Sequence, residues 1–431
     1  MLRKFLVMLT SAAAVPIVVH AQTEAPQRPA TSDHRSFPTP QTVEGQPIET
    51  RPPEKADDKP LFPGQTRAPY HRGPDYKLTL ITDKLHLPWC IAFLPSGKFL
   101  ITEKELPGAM RIVSVDGTIS SPLTGMEALA ETGPLGLLDV ALDPQFSTNK
   151  RVFFTFFNRE KEGYSNTFVA RATLDEADLA LKEVAIIFRG TPEHEIKVFS
   201  EKQGGRIAFG GDGNLFVSMG DRDKNVPWQV AQDKGNDLGK IIHIKPDGSP
   251  APDNPYLNTP GVKPEIWAYG IRSPEGLAFD PKTGKLWETE HGPRGGDELN
   301  LIERGKNYGW PVITHGIDYP GTPIGEGITA KEGMEQPVYY WDPVIAPSGL
   351  AFYRGRLFPQ WKDSVFVGAL RGQMLDRLTL KDDRVVSEEA LLVDLKSRIR
   401  DVRVAPDGTV YVLTENRAMG GTSAFYKITP N

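Results

Sequence analysis

One hairpin, written six times, constrains this chain more than any other feature. The copies are IAFLPSGKFLITEK from Ile91, VALDPQFSTNKRVFFTF from Val140, IAFGGDGNLFVSMGDR from Ile207, LAFDPKTGKLWETEHG from Leu277, LAFYRGRLFPQWKDSVFVGAL from Leu350 and VRVAPDGTVYVLTEN from Val402. Each is an apolar strand, a turn, and a second strand rich in aromatic and β-branched residues. Ser96-Gly97, Asp212-Gly213, Thr283-Gly284 and Asp407-Gly408 stand at the turns and supply the positive φ that tight hairpins need. The copies start about 50 to 70 residues apart, room for a four-stranded antiparallel blade with its loops, and no helical repeat stands between them. The pattern predicts an all-β fold, a six-bladed β-propeller with four-stranded antiparallel blades over residues 76–431. A pair of β-sandwiches would not explain the repetition. Ring closure shields the sheet edges and gathers loops from distant positions at one mouth of a central channel, where a functional site is expected.

Ahead of the repeats, MLRKFLVMLTSAAAVPIVVHAQ combines basic Arg3 and Lys4, an apolar run too short for a comfortable bilayer span, and small Ala21. That layout predicts a signal peptide over residues 1–21, cleaved near Ala21, and a periplasmic protein with no membrane span after its removal. No cysteine at the cleavage site offers a lipid anchor. Residues 22–75 are rich in Pro and charge and poor in aliphatic residues, which reads as a linker or a strap on the folded body, with no chemistry assigned to it. The net charge of −5, without a basic stripe interleaved with aromatics, excludes a nucleic-acid partner. A single cysteine, Cys90, excludes an internal disulfide framework and a cysteine-based metal cluster, and its apolar neighbours predict a buried small hydrophobe.

Polar residues collect where the repeated hairpins end. Gly220-Asp221-Arg222 follows the third copy, and Leu370-Arg371-Gly372 the fifth. Arg272 and Ser273 precede the fourth copy, and Arg398 and Arg400 the sixth. Arginines from separate blades at one mouth require an acidic ligand or fixed acidic partners, and a multiply carboxylated small molecule meets that need. The segment TEHGPRGGDELNLIERGKNYGWP, from Thr289 to Pro311, adds a histidine, an acidic pair and a cluster of glycines, so the backbone itself is expected to approach something there.

These residues resemble the glucose/sorbosone dehydrogenase family, periplasmic aldose sugar dehydrogenases that use pyrroloquinoline quinone (PQQ) on a six-bladed propeller. The resemblance runs from Leu87-Pro88-Trp89 to Ile428 and is carried by GLLDVALDPQF, QGGRIAFGGDGNLFVSMGDR, LGKIIHIKPDGSPAPDNP, PEIWAYGIRSPEGLAFD, EHGPRGGDELNLIERGKNYGWP, WDPVIAPSGLAFY and RIRDVRVAPDG. It implies PQQ and Ca²⁺ as cofactors. It puts Gly292 and Pro293 at the calcium through their backbone oxygens, which suits a hard cation. Glu298 and Tyr308 match positions that help bind a second, structural calcium; Arg272, Arg371, Arg398 and Arg400 match residues that grip the cofactor's carboxylates; Trp341 matches an aromatic lining the site. The implied reaction moves a hydride from the anomeric carbon of an aldose to the quinone, giving a lactone. Arg272 matches the arginine that stabilises developing charge.

The pattern breaks at the base. Relatives place a histidine before the GGR or SGR turn, oriented by the aspartate that Asp221 matches, and here Lys202 stands in its place. A lysine half neutral at pH 7 needs its pKa lowered by about 3.4, roughly 4.6 kcal/mol, and Asp221 opposes that. Pro134 and Glu275 stand where relatives have glutamine, and Ser273 replaces a cofactor-binding asparagine. His291 is a candidate substitute base, or an imidazole donating to a neighbouring carbonyl. His86, His194, His243 and His315 follow no shared spacing and are read as background. Three functions are weighed: an aldose dehydrogenase, monomer or homodimer, passing electrons to a separate quinone or cytochrome; a ligand-binding propeller that has lost the reaction; and, last, a lactonase, for which the mouth has too many arginines.

Overall fold

Each repeated hairpin forms the two inner strands of a blade. The computed structural model describes residues 39–431 apart from 106, 130–134, 159–165, 191–201, 223–227 and 417–421. The predicted signal segment, Pro134 and His194 lie outside the described residues. Strand β1 (Tyr76–Leu85) is set apart for the last blade. The first blade holds β2 (Pro88–Phe93), β3 (Phe99–Glu103) and β4 (Ala109–Val113). The second holds β5 (Gly136–Leu142), β6 (Arg151–Asn158), β7 (Asn166–Asp175) and β8 (Ala180–Arg189). The third holds β9 (Gly204–Phe209), β10 (Leu215–Met219), β11 (Lys240–Ile244) and β12 (Ile266–Tyr269). The fourth holds β13 (Pro274–Phe279), β14 (Leu286–Glu290), β15 (Asp297–Ile302) and β16 (Tyr339–Trp341). The fifth holds β17 (Pro347–Phe352), β18 (Ser364–Ala369), β19 (Met374–Lys381) and β20 (Arg384–Leu391). In the sixth, β21 (Ile399–Val404), β22 (Val410–Thr414) and β23 (Ser423–Pro430) pair with β1, which joins the two ends of the propeller.

The predicted all-β, six-bladed propeller is therefore observed, with five sheets of four strands and one of three. The exception has a local cause. Residues 119–124 run beside β4, with Ser120 and Leu123 donating to Ile112 and Met110, but Pro122 supplies no N–H and the ladder stays irregular.

A hydroxyl at one repeat position ties each of the first four blades to the next. Thr102 on β3 donates to Leu138 O (2.6 Å), Thr155 on β6 to Gly205 O (2.5 Å), Ser218 on β10 to Pro274 O (3.4 Å) and Thr289 on β14 to Ser348 O (3.3 Å). The fifth blade has Gly368 at this position, where a Cβ would come within 2.5 Å of Ser348 Oγ, and Ser348 itself donates to Ile399 O (2.7 Å). The channel adds buried ions. Arg206 on β9 lies 2.9 Å from Asp401 on β21 and 3.7 Å from Asp139 on β5, with its guanidinium over the Trp89 ring. Arg403 reaches both carboxylates at 3.0 Å. Asp139 also accepts from Ile207 N (2.8 Å), and Asp401 from Ile91 N (3.0 Å), so each carboxylate bonds a neighbouring blade's inner strand.

The described part of the Pro-rich arm, residues 39–75, buries Ile48, Ala68 and Tyr70 against the core of the fourth and fifth blades and is otherwise held by polar contacts. Arg67 donates to Glu49, Arg51 and Asp342 carbonyls, Tyr340 N donates to Gln65 O, and Asp342 accepts from Glu54 N and Lys55 N. Buried Lys55 donates to Thr314 O and Gly327 O, and His315, read from sequence as background, stacks on Tyr340 and meets Asp58 at 2.9 Å. Cys90 is buried and unpaired, as expected.

Asp401→Asn leaves Arg206 and Arg403 short of a counter-charge, and we expect a loss of about 3–5 kcal/mol in chemical unfolding. Thr102→Val, which removes one hydroxyl bond, is expected to cost only about 1 kcal/mol. Equal small losses from both would refute the channel ions as the ring's main tie.

Candidate active site

Loops at the β10, β14 and β18 ends meet the segments that enter β13, β17 and β21. Arg272 enters on the segment before β13 and is buried. Its Nη1 donates to His291 O (2.7 Å) and Gly292 O (2.8 Å), its backbone N to Glu290, and its guanidinium sits 5.2 Å from the Trp310 ring centroid. Asp221 N donates to Arg272 O (2.8 Å), which sets Asp221 beside it. Trp310 Nε1 donates to Asp221 Oδ2 (2.8 Å), and Lys202 Nζ lies 3.8 Å from Asp221 Oδ1. Burial pushes the Asp221 carboxyl up, against the pull of Lys202 and Arg272. Lys202 sits at φ +64°, a left-handed value uncommon for lysine, so the turn before β9 holds it in a conformation the chain does not choose freely.

The loop after β14 is shaped by glycines and one aspartate. A Cβ on Gly292 would overlap the Gly295 and Gly296 carbonyl region, so only glycine fits there. Asp297 Oδ1 accepts from Gly292 N (2.8 Å), and Oδ2 from Ile345 N and Ala346 N (2.7 Å each). His291 Nε2 lies 2.7 Å from Pro347 O; a carbonyl only accepts, so that nitrogen carries the hydrogen. Burial, and Arg272, Arg400 and Arg398 nearby, hold the imidazole neutral, with its pKa down to about 3.

Behind the loop, Glu288, Glu290 and Glu298 share one donor, Asn300 Nδ2, at 3.3, 3.3 and 3.2 Å. Burial pushes Glu290 up to about 8, and burial together with the charge of Glu290 pushes Glu288 and Glu298 well above the carboxylate range. Three buried carboxylates with one amide between them fit a divalent cation, whereas the carbonyls of His291 and Gly292 already accept from the Arg272 guanidinium. Glu298 and Tyr308 line one small cleft with Glu290 and Gly292. The Tyr308 hydroxyl is committed, donating to Leu301 O and accepting from Glu303 N, so only its backbone is left to face a cation.

The fit to a polyanion rests on buried donors. Arg272 Nε and Ser273 Oγ are buried and make no hydrogen bond, which suits a carboxylated ligand. Arg398 donates to Leu370 O at 3.4 Å, and exposed Arg371 is anchored through its backbone N to Ile345 O. Arg400 is partly committed: Glu415 (2.5 Å) and Glu275 (3.1 Å) hold it, so the acid at position 275 removes part of its charge from the mouth. Arg222 turns into the blade, to Thr167 and Gln203.

The structure brings only the backbone of Trp341 to this group, its O accepting from Gly296 N (3.0 Å). Its indole points under the arm, donating to Asp376 and Glu388 at 3.0 Å, and lines the cavity between the arm and the fifth blade with Tyr339 and Met374. The sequence reading also missed Asp297, Trp310 and the Glu288–Glu290 pair. Acids two apart on a strand share a face, and ETE at Thr289 with ELN at Leu299 was the available signal.

The chain is a six-bladed propeller whose mouth brings Arg272, Arg398 and Arg400 together around the His291–Gly292 loop. The chain belongs to the glucose/sorbosone dehydrogenase family, whose model matches residues 85–421. It is 38% identical over 340 residues to the aldose sugar dehydrogenase YliI of Escherichia coli K12, covering 78% of this chain and 89% of that protein. A crystal structure of a glucose dehydrogenase superposes with a TM-score of 0.74 at 41% identity, over 81% of this chain and 99% of that one. The PQQ-bound aldose sugar dehydrogenase of Streptomyces coelicolor superposes with a TM-score of 0.65 at 29% identity, over 83% and 99%.

Buried Glu388 has its pKa raised to about 7, and Asp376 beside it is also raised well above the usual carboxylate range, both chiefly by burial. A raised carboxyl pKa favours the folded state below the unfolded value and loses that contribution as pH climbs through the folded value. The thermal midpoint is therefore expected to fall between about pH 4.5 and 7 from this pair, and Glu388→Gln to flatten that part of the profile. An unchanged slope in the variant would assign the fall to other groups.

Proposed function

We propose that the chain is a periplasmic quinoprotein, secreted through a cleaved signal peptide, that oxidises the anomeric carbon of aldose sugars to lactones with PQQ and Ca²⁺. Electrons pass to a separate acceptor, a quinone or cytochrome, and the working unit is a monomer or homodimer. The family and the relatives named as aldose sugar dehydrogenases support this reading. The observation that carries it is the pair of buried, unsatisfied donors Arg272 Nε and Ser273 Oγ beside the His291 and Gly292 carbonyls.

Arg272, Arg398 and, at the rim, Arg371 hold the carboxylates of the cofactor, with Arg400 contributing what Glu275 and Glu415 leave of its charge. The carbonyls of Gly292 and Pro293 take the catalytic calcium, and Glu298 with the Tyr308 backbone the structural one. When bound, PQQ supplies a hydride acceptor, and Ca²⁺ polarises its carbonyl. Arg272 stabilises negative charge that develops at the mouth.

Proton removal from the sugar hydroxyl is the weak step. Asp221 favours the ammonium form of Lys202, which cannot accept a proton. His291 presents a neutral ring whose Nδ1 lone pair is available, but with a pKa near 3 it accepts weakly. A water hydrogen-bonded to Asp221 or to His291 Nδ1 therefore relays the hydroxyl proton to that group, and turnover is slow. The Lys202–Asp221 pair also favours a second reading, a PQQ- or ligand-binding propeller without dehydrogenase activity.

Dye reduction by the mature chain with a panel of aldoses is expected only when PQQ and Ca²⁺ are both added. Lys202→His restores a neutral ring beside Asp221 and is expected to raise kcat by about 10²- to 10⁴-fold, the usual contribution of a positioned base. Tight PQQ binding with no turnover in either protein supports the binding propeller.

A further inference from the structure

At the far end of β10 from Asp221, a buried histidine faces two exposed carboxylates. His243 on β11 is fully buried, its ring stacked on Phe216 at 3.9 Å with Trp267 at its edge. Asp212 comes from the β9–β10 turn and Asp253 from the excursion after β11. One ligand atom from each lies within 4.8 Å of the other two.

The hydrogen-bond network fixes the tautomer. Asn254 Nδ2 donates to His243 O (2.8 Å) and Pro264 O (2.9 Å), so its Oδ1 is the atom 3.0 Å from His243 Nδ1. An amide oxygen only accepts, and Nδ1 therefore carries the hydrogen. Nε2 keeps a bare lone pair. It is buried, makes no hydrogen bond, and has Asp212 Oδ2 at 3.5 Å. Two acceptors facing each other repel unless a cation lies between them. An imidazole oriented through its other N–H by a fixed oxygen is the usual arrangement of a metal-ligating histidine.

We propose that Asp212, His243 Nε2 and Asp253 bind a divalent transition-metal ion of the Zn²⁺ class on the face of the third blade opposite the arginine mouth. Nitrogen plus two carboxylates favours such an ion over Ca²⁺, and water fills the open positions. A tetrahedral ion with bonds of about 2.0–2.1 Å separates its ligands by roughly 3.4 Å, close to the present gap between Nε2 and Asp212. Exposed Asp253, now 3.3 Å from Nδ1, completes the set by a side-chain rotation. The ion ties the β9–β10 turn to the excursion that leads to β12.

The test is Zn²⁺ titration of the full mature chain kept saturated with Ca²⁺, which occupies the oxygen-lined sites of the mouth. We expect one Zn²⁺ per chain, a rise in thermal midpoint, and Co²⁺ absorption typical of mixed nitrogen and oxygen ligation. Asp212→Asn with Asp253→Asn is expected to weaken binding at least tenfold, the lower end of what even outer-shell losses cause. Asp253→Asn alone, on an exposed loop, serves if the double variant misfolds, and is expected to weaken binding by the same route. No Zn²⁺ uptake by the Ca²⁺-saturated chain, or equal affinity in wild type and variants, overturns the site.

Discussion

The propeller depends on an arginine buried where six sheets converge. Arg206 can be desolvated only because Asp401 and Asp139 meet it, and those carboxylates accept from backbone N–H groups of the neighbouring inner strands. Each partner is therefore fixed by the blade it belongs to and by the next one. The hydroxyl bonds from β3, β6, β10 and β14 repeat the same logic farther out, linking each sheet to its successor through one side chain. A ring held this way resists local opening, since the second, third and sixth blades cannot shift without exposing an ion.

That rigidity is what the mouth uses. Arg272 takes its place from Asp221 N, Glu290 and two carbonyls, and the loop of Gly292 from the three N–H bonds to Asp297. The groups that face a ligand are thus positioned by inner-strand geometry before any ligand arrives. The arm adds support from outside. It grips Asp342, Thr314 and Arg294, on segments flanking the same loop, although the family match begins only at residue 85.

The fold was legible because the hairpin repeats with its turn glycines, a local pattern that needs no tertiary knowledge. Arg272, Asp221, Lys202 and His291 were legible as loop residues, and the structure brings them together. Trp341 was not, because a strand alternates its faces and position alone does not say whether an indole turns to the mouth or toward Asp376 and Glu388. The arm's docking was hidden for another reason. Its hold comes largely from backbone carbonyls and from Arg67, Lys55 and Gln65, and its buried apolar residues, Ile48, Ala68 and Tyr70, are too few and too scattered for hydrophobic patterning to register. His243 and His315 looked like background because their partners, Asp212 and Asp58, lie on turns and loops rather than at a shared spacing.

The pairing of β1 with β23 sets the order in which the molecule can be completed. Leu78 lies opposite Ile428, so the sixth sheet cannot form until the final residues of the chain have been made. Contacts across so long a stretch are slow to form, while each hairpin can assemble from neighbours in sequence. The early blades therefore wait as an open arc with an unpaired edge. A chain exported in an unfolded form would close this circle only after its C-terminus had crossed, and Arg398 and Arg400, on the last blade, would join Arg272 at that moment. Ring closure and the gathering of these arginines at the mouth are thus one event.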